Sequence, residues 1–124
     1  MLPASHRLSS AADFQLAVRR GRRAGGPLVV VHLVTPNVDK ATSSFSDPGF
    51  TDPVRVGFVV SRAVGPAVTR NRVKRRLRHL MRERVASLPV GSLVVVRAMS
   101  GAAGATYRDL GEALDRCLGR VVSS

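Results

Sequence analysis

What this 124-residue chain lacks narrows its class first. It has one cysteine, Cys117, which permits no internal disulfide and no cysteine-based zinc site. No apolar run approaches the roughly 18 residues of a membrane span. The opening MLPASHRLSS lacks the apolar core of a secretory signal. These absences lead us to expect a reducing cytoplasm. Trp is missing and aromatics make up 4% of the residues, so any nucleic-acid contact must lean on charge more than on stacking. Acid is scarce as well. Eight Asp and Glu face 20 Lys and Arg, giving a formal net charge of +12. A domain this basic repels itself, and a polyanion is its natural partner.

The few acids form no catalytic cluster. Asp39, Asp47 and Asp52 fall in one loop, and Asp109, Glu112 and Asp115 lie at helical spacing near the carboxyl end, where a solvated helix face explains them. A nuclease working by protein alone needs carboxylates for two metal ions. His6, His32 and His79 have no metal-ligand spacing, and no glycine-rich phosphate loop links a strand to a helix. The sequence thus predicts no catalytic residue, and no metal or cofactor held by the protein itself. Cys117 reads as an apolar filler.

What is present is enough for one core and one domain over 1–124, since apolar residues make up 44%. Residues 1–8 read as a basic arm. Ser10 and Asp13 are spaced to cap a first helix, with Phe14, Ala17 and Val18 on its apolar face and Gly21 at its end. Arg22 to Ala24 is a short edge strand. The run Leu28 to Val34 is β-branched and of strand length. Residues 35–53 form a mobile acidic loop, three Asp against one Lys. Val54 to Ser61 alternates, with Val56, Phe58 and Val60 on one side. Pro66 takes the first position of the longest helix, whose stripe is Val73, Leu77, Leu80, Met81 and Val85. Leu93 to Val96 is uniformly apolar and reads as a central strand. Ser100 to Gly104 is a turn. Thr106 and Asp109 cap a last helix with Tyr107, Leu110, Leu114, Cys117 and Val121 on one face. The order is αβββαβα, and the simplest architecture is α+β, one sheet with helices stacked on one face.

The positive charge is not spread evenly. Nine cations lie between Arg62 and Arg84: Arg62, Arg70, Arg72, Lys74, Arg75, Arg76, Arg78, Arg82 and Arg84, opposed only by Glu83. At 100° per residue Arg72, Arg75, Arg76, His79 and Arg82 cover the face opposite Val73 and Leu77, with Asn71 and Arg78 at its border. Like charges at i, i+3 and i+4 weaken a helix by a few tenths of a kcal/mol per pair. A helix built only for solubility would mix in Glu, and the repulsion tolerated here leads us to expect a phosphate backbone that relieves it. Arg70 and Lys74 lie on the apolar side. They either snorkel past the sheet edge or line a cleft between helix and sheet.

Val56-Gly57-Phe58-Val59-Val60-Ser61-Arg62, then Gly65, then Ala67-Val68-Thr69-Arg70-Asn71-Arg72-Val73-Lys74-Arg75 resembles the signature of the protein subunit of bacterial ribonuclease P. Arg7-Leu8, Asp13-Phe14 and Gly21 fit its spacing too, and the likeness covers roughly residues 6–120. It implies a two-layer α/β sandwich with a four-stranded mixed sheet. It also implies a left-handed crossover joining strand 54–61, the basic helix and strand 92–98, against the usual hand of such connections. In function it implies a catalytic RNA partner whose Mg²⁺ ions, held mainly by RNA, drive cleavage of precursor tRNA at the mature 5′ end. It implies no protein partner and no membrane. By position Arg62, Arg70, Asn71, Arg72, Lys74, Arg75, Arg76, Arg78 and Arg82 would bind RNA. Phe14, Val18, Val30 and His32 would line a cleft for the 5′ leader, with Lys74 beside it. Arg62 keeps the charge of one family lysine, and Ala63 loses that of another. Val18 and His32 stand where the family usually carries aromatics. Two competing readings are a ribosomal-type RNA-binding module and a DNA-binding helix, the latter short of Asn, Gln and Ser to read bases.

Overall fold

β-Branched residues dominate two runs that become the centre of the sheet. The computed structural model describes residues 18–19, 21–34, 54–89 and 91–123. The arm at 1–8, the Ser10 cap, Phe14 and the acidic loop at 35–53 lie outside them. Strands β1 (Arg22–Gly25), β2 (Val29–Val34), β3 (Arg55–Val60) and β4 (Leu93–Ala98) form one mixed sheet in the order β1-β2-β4-β3. β1 and β4 flank β2 antiparallel, and β3 runs parallel to β4. The parallel pair is joined across helix α1 (Ala67–Arg84), and helix α2 (Tyr107–Ser123) follows β4. The result is the expected α+β architecture.

The pleat divides the strands into two faces. Register places Leu33, Val94 and Val56 in one row, Val31, Val96 and Phe58 in the next, and Val29, Ala98 and Val60 in a third. These rows meet Val73, Leu77, Leu80 and Met81 of α1 and Leu110, Leu114, Cys117 and Val121 of α2 in one core. Each fully buried Val, Leu or Met contributes about 1.5–3 kcal/mol. The other face carries rows of the opposite parity: His32, Val95 and Gly57, then Val30, Arg97 and Val59. Val34, Val59, Leu93 and Val95 form a small apolar cluster on it, and Val30 is buried there as well. The edge strand β1 buries only Ala24 and carries Arg22 and Arg23, charges that discourage pairing with a further strand.

Local chemistry sets the ends. Pro66 is the residue before α1, one earlier than its expected first position, because its ψ of 168° is extended. α1 tightens into a 3-10 turn at Val85–Ser87 before Pro89, which cannot continue a helix. The segment Ser100–Gly104 is a 3-10 helix rather than an open turn, and it buries Ala102. It is pinned where the Met99 amide donates to the Leu28 carbonyl at 2.8 Å. A Cβ on Gly101 would stand 2.8 Å from the Pro27 oxygen, so this close approach requires glycine. The capping box of α2 forms on both sides. The Asp109 amide donates to Thr106 Oγ1 at 3.0 Å, and the Thr106 amide donates to Asp109 Oδ2 at 3.3 Å. Tyr107 departs from the expected buried stripe. It is 41% exposed, and its ring meets His79 edge-on at 6.2 Å.

Candidate nucleic-acid interface

Burying Val73 and Leu77 turns the opposite side of α1 to solvent. On that side Val68, Asn71, Arg72, Lys74, Arg75, Arg78 and His79 line an open concavity of about 510 Å³. Five of the predicted RNA-binding residues are therefore brought together there: Asn71, Arg72, Lys74, Arg75 and Arg78. Arg62 and Arg82 are exposed outside this group, Arg62 on the 3-10 turn before the helix and Arg82 near its end. Arg70 is half-buried, and its Nε is buried without a hydrogen-bond partner among the described residues.

Some of the charge is committed internally. Arg76 Nη1 donates to the Ala105 carbonyl at 3.3 Å, and Arg72 Nη2 reaches the Ala103 carbonyl at 3.5 Å. Arg76 is therefore half-buried rather than part of an open face, because α1 packs beside the segment leading into α2. Arg84 is tied down further. Its Nε and Nη2 bind the two carboxylate oxygens of Asp115 at 2.7 and 3.1 Å, and its Nη1 binds the Leu80 carbonyl at 2.8 Å. The hydrogen bond from Arg84 holds the Asp115 carboxyl below its ordinary range, and that same bond raises the guanidinium.

A second cavity, of about 370 Å³, opens on the other face of the sheet. Val18, Val30 and His32, three of the predicted cleft residues, line it together. Lys74 does not. It lines the concavity on α1, since the crossover carries α1 to the far side of the sheet. Lys74 is half-buried and sits among the cations of α1 rather than in the cavity on the other sheet face. The walls also hold Arg23, Ser61, Ala63, Arg97, Met99 and Ser100. None of these was singled out for the cleft from sequence. Strand parity, which sets Arg23 across from His32 and Arg97 across from Val30, could have found the two arginines once the pairing register was known. Ser61 and Met99 directly follow β3 and β4, so the cavity lies at the carboxyl ends of the parallel pair, where open α/β sheets tend to bind ligands. His32 is 5% exposed, and its Nδ1 has no hydrogen-bond partner among the described residues. Burial first, then the charges of Arg23 and Arg97, push its imidazole below the ordinary histidine range.

Acidic side chains are used elsewhere. Asp109 caps α2, Glu112 pairs with Arg108 at 3.4 Å, and Asp115 pairs with Arg84. Among the described residues no three His, Cys, Asp or Glu side chains come together as a metal site, and no helix is long and apolar enough to cross a membrane.

Comparison with known proteins agrees with this geometry. The family model described as Ribonuclease P matches residues 2–122. The ribonuclease P protein component of Streptomyces avermitilis is 57% identical over 122 residues, covering 98% of this chain and 96% of that protein. The corresponding protein of a Nocardioides species is 54% identical over 121 residues, covering 98% and 95%. In fold, the chain is similar to the Staphylococcus aureus RNase P protein, with a TM-score of 0.74, 22% identity and coverage of 95% and 98%. The RNase P protein from Thermotoga maritima, solved with 1-(4-fluorophenyl)-2-thiourea, gives a TM-score of 0.69 at 24% identity, covering 95% and 99%. A family match over nearly the whole chain, joined to relatives more than half identical, settles the family: this chain belongs to the ribonuclease P proteins.

Proposed function

We propose that the chain is the protein component of a ribonuclease P holoenzyme, docking on the catalytic RNA through α1 and holding the 5′ leader of precursor tRNA in the cavity on the opposite sheet face. One observation carries this reading. The fold separates a solvent-facing cationic concavity on α1 from a cleft on the other side of the sheet, giving two surfaces for two nucleic-acid segments. Guanidinium groups on the first surface suit a phosphate backbone. Apolar walls and a hydrogen-bonding imidazole suit an unpaired strand in the second. Hydrolysis of the precursor is assigned to the RNA and its Mg²⁺ ions. The protein's own acids on α2 are held by Thr106, Arg108 and Arg84 and do not fit a metal pair. On this reading the protein works beside its RNA partner in the bacterial cytoplasm.

Reconstitution tests the reading. Protein added to the catalytic RNA at low Mg²⁺ should restore cleavage of precursor tRNA at the mature 5′ end, and protein alone should cleave nothing. Cleavage by RNA-free protein would overturn the assignment of chemistry. Recovery of ribosomal RNA, in place of one structured ribonuclease P RNA, would favour the ribosomal-type module.

A further inference from the structure

We infer that Tyr107 and His79 form a stacking platform for an unpaired base of the catalytic RNA, which carries the docking surface of α1 onto the start of α2. The inference rests on the RNA-docking reading of α1 and adds to it two rings, one of them on an element that this reading leaves unused.

One ridge of α1 sets the geometry. Arg72, Arg76 and His79 follow one another at i, i+4 and i+7, and they meet every second residue of the segment entering α2. Arg72 Nη2 reaches the Ala103 carbonyl at 3.5 Å, Arg76 Nη1 donates to the Ala105 carbonyl at 3.3 Å, and the His79 ring meets the Tyr107 ring at 6.2 Å. The two guanidinium groups therefore hold the backbone that delivers Tyr107 to the side of α1. A guanidinium has five N–H donors, so one bond to a carbonyl leaves others for phosphate.

Exposure supplies the second observation. Tyr107 belongs by spacing to the stripe of Leu110, Leu114, Cys117 and Val121, yet it is 41% exposed, and His79 is exposed as well. Phe58 and Tyr107 are the only Phe or Tyr among the described residues; Phe58 packs against the core and Tyr107 does not. The two rings meet edge-on at 62°, a contact that uses one face of one ring and leaves the pair open to a third. His79 also lines the concavity with Asn71, Arg75 and Arg78, so a base on the rings lies beside cations that can take its flanking phosphates. The acids of this region are engaged, Asp109 with the Thr106 amide, Glu112 with Arg108, and Glu83 and Asp115 with Arg84. Positive charge around exposed rings fits a nucleic-acid strand. A paired helix hides its base faces, so the occupant is an unpaired base.

The test uses the full chain and the catalytic RNA. Tyr107 is the only Tyr and Trp is absent, so tyrosine emission reports on this ring alone. Binding of the catalytic RNA should quench most of that emission, with free tyrosinamide in the same RNA solution as the absorbance control. Tyr107→Leu, which keeps an apolar side chain against α1, should weaken RNA affinity by about tenfold, and Tyr107→Trp should keep it. The log–log salt slope should stay at the wild-type value in both, because no cation is removed. His79→Ala should weaken affinity by about threefold, through loss of the ring that supports Tyr107. Emission is read on the wild type and does not depend on a variant folding. Unquenched emission in the complex would overturn the platform. So would wild-type affinity in Tyr107→Leu, or a slope that Tyr107→Leu changes as much as Arg75→Ala does. A protein that binds the catalytic RNA no better than ribosomal RNA, or whose slope ignores Arg75→Ala, would remove the docking reading itself.

Discussion

Two arginines nine residues apart on α1, Arg75 and Arg84, should respond to the same truncation in opposite ways. Arg84 is 19% exposed and anchors α1 to α2 through both oxygens of Asp115 and through the Leu80 carbonyl. The Asp115 side chain is 61% exposed, so the ion pair alone contributes only about 0.2–1 kcal/mol after solvent screening. The bond from a charged donor to the Leu80 carbonyl adds about 1.5 kcal/mol, and the aliphatic stem adds some packing. Arg84→Ala should therefore cost about 2 kcal/mol of folding stability, read from denaturant midpoints. It should leave the salt slope of binding to the catalytic RNA unchanged, because this charge is already neutralised. Arg75 is exposed and has no partner among the described residues. Its loss should change stability by less than about 0.5 kcal/mol. It should make the log–log salt slope shallower by about one unit. If the two variants changed the slope equally, and Arg84→Ala left stability intact, the division of α1 into a tethered and a docking set would be wrong.

Further outcomes follow from groups already described. The depressed Asp115 carboxyl stabilises the fold above its ordinary value of 3.8, and this contribution is lost as pH falls through the lower folded-state value. The stability gap between wild type and Arg84→Ala should narrow there by the ion-pair share alone, leaving the part contributed by the Leu80 carbonyl bond and the stem. His32 titrates below its ordinary value of 6.5, so the unfolded chain takes up the proton first and stability falls as pH drops below about 6.5. The His32→Phe variant should lose that part of the pH dependence in melts between pH 7 and 5 (conditions chosen for the test). Thr106→Ala removes the side-chain half of a cap and should cost about 1 kcal/mol by denaturant titration. Gly101→Ala places a methyl against the Pro27 carbonyl and should destabilise the protein, whereas Gly104→Ala, with open space around it, should not.

Periodicity revealed what each element does with its own two faces. The stripe Val73, Leu77, Leu80 and Met81, the alternation of β3 and the Thr106–Asp109 box were all legible, because each is written in residues three, four or two apart. Pairing between distant segments was not. The arginines of the cleft lie on β1 and β4, far apart in sequence, and only cross-strand register brings them to His32. Lys74 illustrates the same limit from the other side. A helical wheel placed it near the apolar stripe but could not say which sheet face the helix covers. Arg76 looked like a solvent-facing cation until the carbonyl of Ala105, contributed by another segment, came within reach.

The position of β4 has a consequence for the order of events during synthesis. β1 and β2 pair with each other as a hairpin, but among the described residues β3 has no neighbour in the sheet except β4, which the ribosome makes only after α1. Until Ala98 has been added, the nine cations from Arg62 to Arg84 belong to a segment with no completed sheet to rest on. Its apolar stripe is then as accessible as its guanidinium groups, and the nascent chain is surrounded by RNA. Arrival of β4 closes both sheet pairings at once, and α2, made last, completes the core over the stripe, so the final part of the chain converts a sticky polycation into a surface that presents its charged side.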